Sequence, residues 1–326
     1  MSNAKYADLW LSISDFKHNF GPKADLREKK MAGVPLDQRD GWIWFDGEMR
    51  EWKECKVHVL THALHYASSV FEGQRAYNGE VFKLHEHSER LRKSANILDF
   101  EIPYSADEID AACREVLEKN NLTNAYMRPL AWRGSHELGL GAHNNPVHLA
   151  IAAWEWPSLF SMEEKLKGVR LAWSDWQRPA PDSAPFASKA SGLYMICTLS
   201  KHAAEAKGYS DALMRDYRGY VAEATGANVF FIKNGEIHTP KPDCFLDGIT
   251  RRTVIGLAKE QGINVIERVI MPDEIGDFEE CFLTGSAAEV TPVAEIEGTI
   301  FEKRDICQKM IEAYADAVQP KKAAAE

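Results

Sequence analysis

"FASKASGLYM" (Phe186–Met195) surrounds one lysine, Lys189, with Ala187, Ser188, Ala190, Ser191 and Gly192. A solvated lysine tolerates bulky or charged neighbours, and a surface turn is the ordinary home of a lone lysine. Small flanks on both sides instead leave room for something flat and large beside the ammonium. The rest of the chain has to decide between the two readings.

The chain has 326 residues, 45% of them hydrophobic, enough for one large domain or two ordinary ones. A net charge of −10 argues against bulk attraction to nucleic acid or to an anionic membrane, which needs a basic face. No apolar run reaches the roughly 18 residues that span a bilayer. "VHLAIAAWEW" (Val147–Trp156) comes nearest. The start "MSNAKYADLW" has no apolar stretch behind a basic one, so no secretory signal is expected. Cys55, Cys113, Cys197, Cys244, Cys281 and Cys307 are scattered without a close pair. They read as packing thiols in a reducing compartment, the cytoplasm.

Outward from the lysine, the periodicities predict a mixed fold. "GWIWFDGEMREW" (Gly41–Trp52) reads as a hairpin on an Asp-Gly turn, and "KVHVL" continues as strand. "THALHYASSVFEG" (Thr61–Gly73) reads as a Thr-capped helix and "EVFKL" as a strand. Leu91, Ala95 and Leu98 share a helix face, and Ser105 caps an amphipathic helix with an acidic first turn. "AYMRPLAWRG" and "VHLAIAAWEW" are strands. The second half predicts strands at "VRLAWSDW", "DALMRD", "YVAEATGANVFFIKNG", "EIHTP", "NVIERVI" and "ECFLTGS". Its helices are "LYMICTLSKHAAEAKG", "DGITRRTVIGLAKEQG" and the tail from Cys307. Without strict βαβ alternation the class is α+β. The expected layout is an extension over 1–40, a small α+β domain over 41–155, a linker over 156–168 and a large α+β domain over 169–326.

Several stretches carry chemistry. "DGITRRT" (Asp247–Thr253) puts Gly248 and Thr250 at a helix start, where free N–H groups favour an anion. Glu223 stands in an otherwise apolar, small-residue strand and needs a cationic partner. "FLTGSAAEVTP" (Phe282–Pro292) ends a strand in small residues, suited to close backbone approach. Arg90, beside Leu91, supplies a possible phosphate fork. Arg128, between apolar strand residues, wants an anion, either a protein carboxylate or a substrate. Zinc needs three or four converging ligands, and around His62, His65, His85 and His87 carboxylates are only sparsely interleaved and no HExxH occurs, so no metal is expected. An uncrowded lysine, a buried acid and a phosphate cradle are together what pyridoxal phosphate needs.

With "HALHYASSVFEGQRAY", "AYMRPL", "SKASGLY", "EATGANVF", "GITRRT" and "TGSAAEVTP" in this order, the chain resembles the branched-chain-amino-acid aminotransferases, from about Gly41 to Gly298. They are two-domain, D-amino-acid-transaminase-like enzymes of the fold-type IV pyridoxal-phosphate group. The resemblance implies transamination between L-branched-chain amino acids and 2-oxoglutarate. It makes Lys189 the residue that binds the cofactor covalently and carries the proton. It assigns Tyr194 to the cofactor's phenolic oxygen and Glu223 to its pyridine nitrogen. Arg90, Ile249, Thr250 and Ser286 would hold the phosphate, with Leu246 against the ring. Backbone N–H groups of Ser286 and Ala287 would receive the substrate carboxylate. Tyr66, Phe71, Gly73, Tyr126, Arg128 and Trp156 would line the side-chain pocket. A homodimer is implied, with the amino acid and the 2-oxo acid as small-molecule partners. The chain departs from the family pattern at Ala227, where a glutamate is frequent, and at Leu159, where some members carry tyrosine. D-amino-acid and amine transaminases, aminodeoxychorismate lyase and a non-catalytic ligand-binding homologue share parts of the pattern. "YMR" followed by "GLG" (Gly139–Gly141) favours the branched-chain one.

Overall fold

A computed structural model of the chain describes residues 34–156 and 162–320. Leu159 and the last six residues of the tail lie outside them, as do residues 1–33 of the expected extension. Of that extension, Leu36–Gln38 forms a short 3-10 turn. Residues 41–326 form one compact unit.

Two sheets organise that unit. The first holds β1 (Trp42–Phe45), β2 (Glu48–Glu51), β3 (Ser69–Phe71), β4 (Gln74–Tyr77), β5 (Glu80–Val81), β6 (Ala125–Arg133) and β7 (Val147–Glu155). Its order is β2-β1-β7-β6-β4-β5, with β3 also on β6, and every pairing is antiparallel. The Asp46-Gly47 turn has φ of 50° and 98°, the positive values a tight hairpin needs. Helices α2 (Leu84–Ile97) and α3 (Ala106–Lys119) cover one face. Leu91, Ala95, Ile109 and Val116 pack there on Val70, Met127 and Ile151. Ser105 forms the full capping box with Glu108.

The second sheet holds β8 (Val169–Arg178), β9 (Asp211–Asp216), β10 (Val221–Ala224), β11 (Asn228–Lys233), β12 (Glu236–Pro240), β13 (Val265–Arg268), β14 (Glu280–Gly285), β15 (Glu289–Ile296) and β16 (Thr299–Ile300). β8 lies parallel to β9 and to β15, and β12 parallel to β13; the other pairings are antiparallel. Successive side chains of a strand face opposite ways, and here both faces are buried. Phe230 packs with α6 (Ile249–Glu260) and α7 (Asp305–Ala317), while Phe231 faces Phe278 and Phe301. A glycine or left-handed residue follows several helices, as at Gly208 and Gly262.

Three local expectations are corrected. "KVHVL" is not strand: Val57 and Val59 are exposed at 47% and 74%, with no neighbouring strand to cover them among the described residues. The helix expected over Thr61–Gly73 is only α1 (His62–Tyr66). Ala67, in the left-handed region at φ 54°, ends it, and Ser69 starts β3. "EVFKL" keeps two strand residues before Lys83, at φ 51°, turns into α2. The linker carries the short helix α4 (Met162–Leu166). A 3-10 turn, Ser191–Tyr194, leads into α5 (Met195–Ala206).

Candidate active site

Lys189 is pinned through its backbone from two sides. Its N–H donates to Ser94 Oγ of α2 at 3.0 Å, and its carbonyl accepts from the Phe71 N–H at 3.2 Å. Ala190 bridges to Val70, and Ser188 Oγ donates to the Ser94 carbonyl at 2.8 Å. The small flanks are therefore partly a packing device. Ser188 and Ala190 are buried, and a Cβ on Gly192 would lie 3.1 Å from the Ala67 methyl. The side chain is left half-buried, with Nζ 2.8 Å from Tyr194 Oη and 4.9 Å from the Phe71 ring centre. Phe71 meets Tyr194 edge-on at 4.8 Å.

Glu223 lies in β10 opposite Asn228 of β11. Burial pushes its carboxyl up to about 7, while Arg178 and Lys189 pull the other way. Arg178, buried at the end of β8, stands 3.3 Å from it. Asn228 Nδ2 donates to Glu223 Oε2 at 3.2 Å and to the Leu246 carbonyl at 3.0 Å. One amide thus ties the acid to the segment leading into α6. At Gly248, the N-cap, a Cβ would fall 2.3 Å from Asn228 Oδ1, so that segment requires glycine. Ala227 is buried in the apolar core of the second sheet, and Asn228 beside it supplies the hydrogen bond to the acid.

Arg90 points inward, as its place beside Leu91 predicts, and is gripped there. Nε and Nη2 donate to the two oxygens of Glu72 at 2.6 and 2.8 Å. Glu72 is fully buried and also bonds His87 Nδ1 at 2.8 Å. The two partners hold its carboxyl well below the ordinary 4.5 against the upward push of burial. Arg90 Nη1 is buried without a hydrogen-bond partner among the described residues. Glu72 occupies the break between β3 and β4. Pro129 of β6 lies opposite that break, and its carbonyl accepts the Glu72 N–H at 2.8 Å. A proline has no N–H to offer a neighbouring strand, which suits it to an interrupted ladder.

The remaining residues fall into two groups. Ile249 and Thr250 are buried in the first turn of α6, whose N-terminal N–H groups have no side-chain cap. Ser286 and Ala287 form the turn after β14, half-buried and exposed respectively. Gly285 there comes close enough that a Cβ would sit 3.4 Å from the Gly226 carbonyl. Leu246 is half-buried. On the first sheet, Arg128 Nη2 donates to Tyr126 Oη at 2.8 Å and the guanidinium lies 4.7 Å over Phe71. Tyr126 packs on Trp156 at 5.3 Å, and Gly73 has no room for a Cβ, which would meet Tyr126 Oη at 2.3 Å. Tyr66 stands apart: it is 44% exposed, and its ring neighbours are His62 and His65.

Arg178, Asn228, Glu72 and Ser94 were not singled out from the sequence, and His87 was weighed there only as a metal ligand. Two signals were there to find: the Glu72 charge between Phe71 and Gly73, and Asn228 in the "ATGAN" run that carries Glu223.

Residues 69–296 match the class IV amino-transferase family, and the chain belongs to that family. It is 41% identical over 295 residues to a branched-chain-amino-acid aminotransferase of Pseudomonas aeruginosa, covering 88% of this chain and 96% of that one. The T.th. branched-chain amino acid aminotransferase with pyridoxamine 5'-phosphate superposes with a TM-score of 0.83 at 40% identity, covering 86% of this chain and 94% of that one. The same T.th. enzyme complexed with N-(5'-phosphopyridoxyl)-L-glutamate gives 0.81 at 39%, over the same shares.

The residues present fit a pyridoxal phosphate. Arg90 Nη1 is a buried donor in want of an acceptor, and the α6 start offers uncapped N–H groups for a phosphate. Glu223 is an acid whose nearest cation, Arg178, favours its ionised form against burial.

Proposed function

We propose that the protein transfers the amino group between L-branched-chain amino acids and 2-oxoglutarate on a pyridoxal phosphate held by Lys189. The cofactor, when bound, supplies an electron sink that makes the amino acid's α C–H acidic. The chain's own groups do the rest. Lys189 Nζ would take up the proton from the amino acid's α carbon and hold it for return. Tyr194 Oη, bonded to that nitrogen, orients it. Glu223 holds a proton on the ring nitrogen. Arg90, Ile249, Thr250 and Ser286 bind the phosphate, and Leu246 packs on the ring. The Ser286 and Ala287 N–H groups bind the substrate carboxylate. Phe71, Gly73, Tyr126 and Trp156 line the side-chain pocket, with Tyr66 contributed across a dimer. The division into domains over 41–155 and 169–326 belongs to the same reading, with this site between them.

Arg128 carries the proposal. It is a cation among Phe71 and Tyr126, and no carboxylate lies within ion-pair reach among the described residues. Its Nε is buried without a hydrogen-bond partner among the described residues. Such a group suits a pocket that takes an apolar side chain in one half-cycle and the distal carboxylate of glutamate in the other. Arg128→Met is therefore expected to damage the glutamate half-reaction selectively. A desolvated charge-assisted pair is worth about 1.5–3 kcal/mol, or roughly 10- to 150-fold in kcat/KM. Half-reactions followed by cofactor absorbance with leucine and with glutamate check this. Equal losses for both donors would return Arg128 to a supporting role in the sheet.

Glu223→Gln tests the ring contact. Turnover should fall well before cofactor retention does, because the phosphate ligands are untouched while the carboxylate is lost. A wild-type half-reaction rate in this variant would remove Glu223 from the mechanism.

We further propose a homodimer. Val59, Leu64 and Leu140 are exposed at 74%, 63% and 84%, and Tyr66 lies close to Leu64 on α1. Light scattering at micromolar concentration should give at least twice the chain mass. No described helix is long and apolar enough to cross a membrane. All six cysteines are free thiols, which supports a reducing compartment such as the cytoplasm.

A further inference from the structure

A second cavity, of about 640 Å³, lies apart from the Lys189 cluster, between the end of β4, α7 and the start of β15. Lys189, Tyr194, Arg90, Glu223 and Ser286 do not line it, and Trp156 is the one residue of the proposed side-chain pocket that does. The volume is that of a small-molecule pocket.

The lining is charge-neutral as a whole, but two of its cations, Arg75 and Lys165, share the one carboxylate Glu289. Arg75 is only 6% exposed. Its Nη2 donates to the Trp156 carbonyl at a long 3.4 Å, and its Nη1 is 3.7 Å from Glu289 Oε1. Its Nε has no hydrogen-bond partner among the described residues. Glu289 is already engaged, accepting from Tyr77 Oη at 2.9 Å and from Lys165 Nζ at 3.1 Å. One carboxylate thus faces two cations. Glu155, the other charged lining residue, is exposed at the end of β7. Burial pushes the Tyr77 hydroxyl far up and that of Tyr314 up to about 12, so both remain neutral donors. A buried guanidinium with an idle N–H is costly unless an anion meets it. Leu122, Ile311 and Val318 supply apolar wall.

We propose that this cavity is a second binding site, for a small monocarboxylate with an apolar tail. The carboxylate pairs with Arg75 and Lys165, and the tail lies along Ile311 and Val318. Glu289, which the ligand would compete with for both cations, comes three residues after Ser286. Occupancy therefore bears on the turn that the proposed substrate carboxylate uses.

Equilibrium dialysis of labelled 3-methylbutanoate against the cofactor-loaded protein, at constant ionic strength, tests this. Two sites per chain are expected, of which only one perturbs the cofactor's visible absorbance. Arg75→Gln should weaken the silent site about 10-fold or more. Lys165→Gln, at a part-exposed position, should weaken it about threefold. Neither variant should move the absorbance-linked site, and 3-methylbutylammonium should not fill the silent one. Absence of the silent site, a silent site indifferent to Lys165→Gln, or equal uptake of the ammonium compound would overturn the proposal. The silent site is counted separately from the absorbance-linked one, so failure of the substrate reading leaves it standing and its own failure leaves that reading intact.

Discussion

Lys189→Ala is expected to abolish transamination while leaving the fold and much of the cofactor affinity in place. The variant loses the Nζ that stands 2.8 Å from Tyr194 Oη. It keeps Arg90, the α6 start and Glu223. A positioned general base contributes on the order of 10²–10⁴-fold, before any loss of covalent activation. A single-turnover half-reaction with leucine should therefore fall by at least that factor. Borohydride treatment followed by mass measurement should find the cofactor attached to the wild-type chain and absent from the variant. Because the backbone of residue 189 is held by Ser94 and Phe71, its truncation should barely change the unfolding midpoint. Turnover at the wild-type rate would remove the lysine from the mechanism altogether.

Glu72→Ala is expected to be the most destabilising single change near the site. It strips a fully buried carboxylate from both Arg90 and His87 and leaves a guanidinium buried without its main partner. Breaking such a pair from one side costs about 3–5 kcal/mol. Denaturant unfolding should show that loss. Glu72→Gln, which keeps the shape, should show less of it but still weaken cofactor retention, since Arg90 loses its bidentate grip. The pH dependence follows from the same contacts. Glu72 is held below its ordinary 4.5, so its contribution is complete above that value and drains away as pH falls beneath it. Burial holds His87 below its ordinary 6.5, so the unfolded chain takes up that proton first and stability also declines as pH falls through 6.5. Acid sensitivity should therefore begin near 6.5 and steepen below 4.5, and Glu72→Gln should flatten the lower part. An unchanged acid-unfolding profile in Glu72→Gln would show that the carboxylate contributes nothing to folding.

The sequence by itself determined the α+β class and most of the long elements, and it pointed to the lysine, acid and arginines proposed for the site. Those features are local. The apolar runs of "AYMRPLAWRG" and "VHLAIAAWEW", the capping box at Ser105 and glycines after the helices state their conformation within a few residues, and the ordered motifs state the family. Tertiary structure alone decided how the groups meet. Helix α1 stops at Tyr66 because Ser69–Phe71 finds β6 to pair with, an outcome that depends on residues some sixty positions away. "KVHVL" has the alternation of a strand but no partner, and alternation without a partner leaves backbone groups to solvent. Glu72 fell at the end of the helix expected over Thr61–Gly73 and carried no role of its own there. Only the break between β3 and β4, opposite Pro129, turns it into the core to meet Arg90 and His87. Asn228 and Arg178 gain their roles because β8, β10 and β11 bring them to Glu223 from different parts of the chain. The small residues around Lys189, read as room for a ligand, also serve close packing against β3 and α2. Propensity and periodicity act over a few residues, whereas partnership of buried charges is settled only when distant strands close around them.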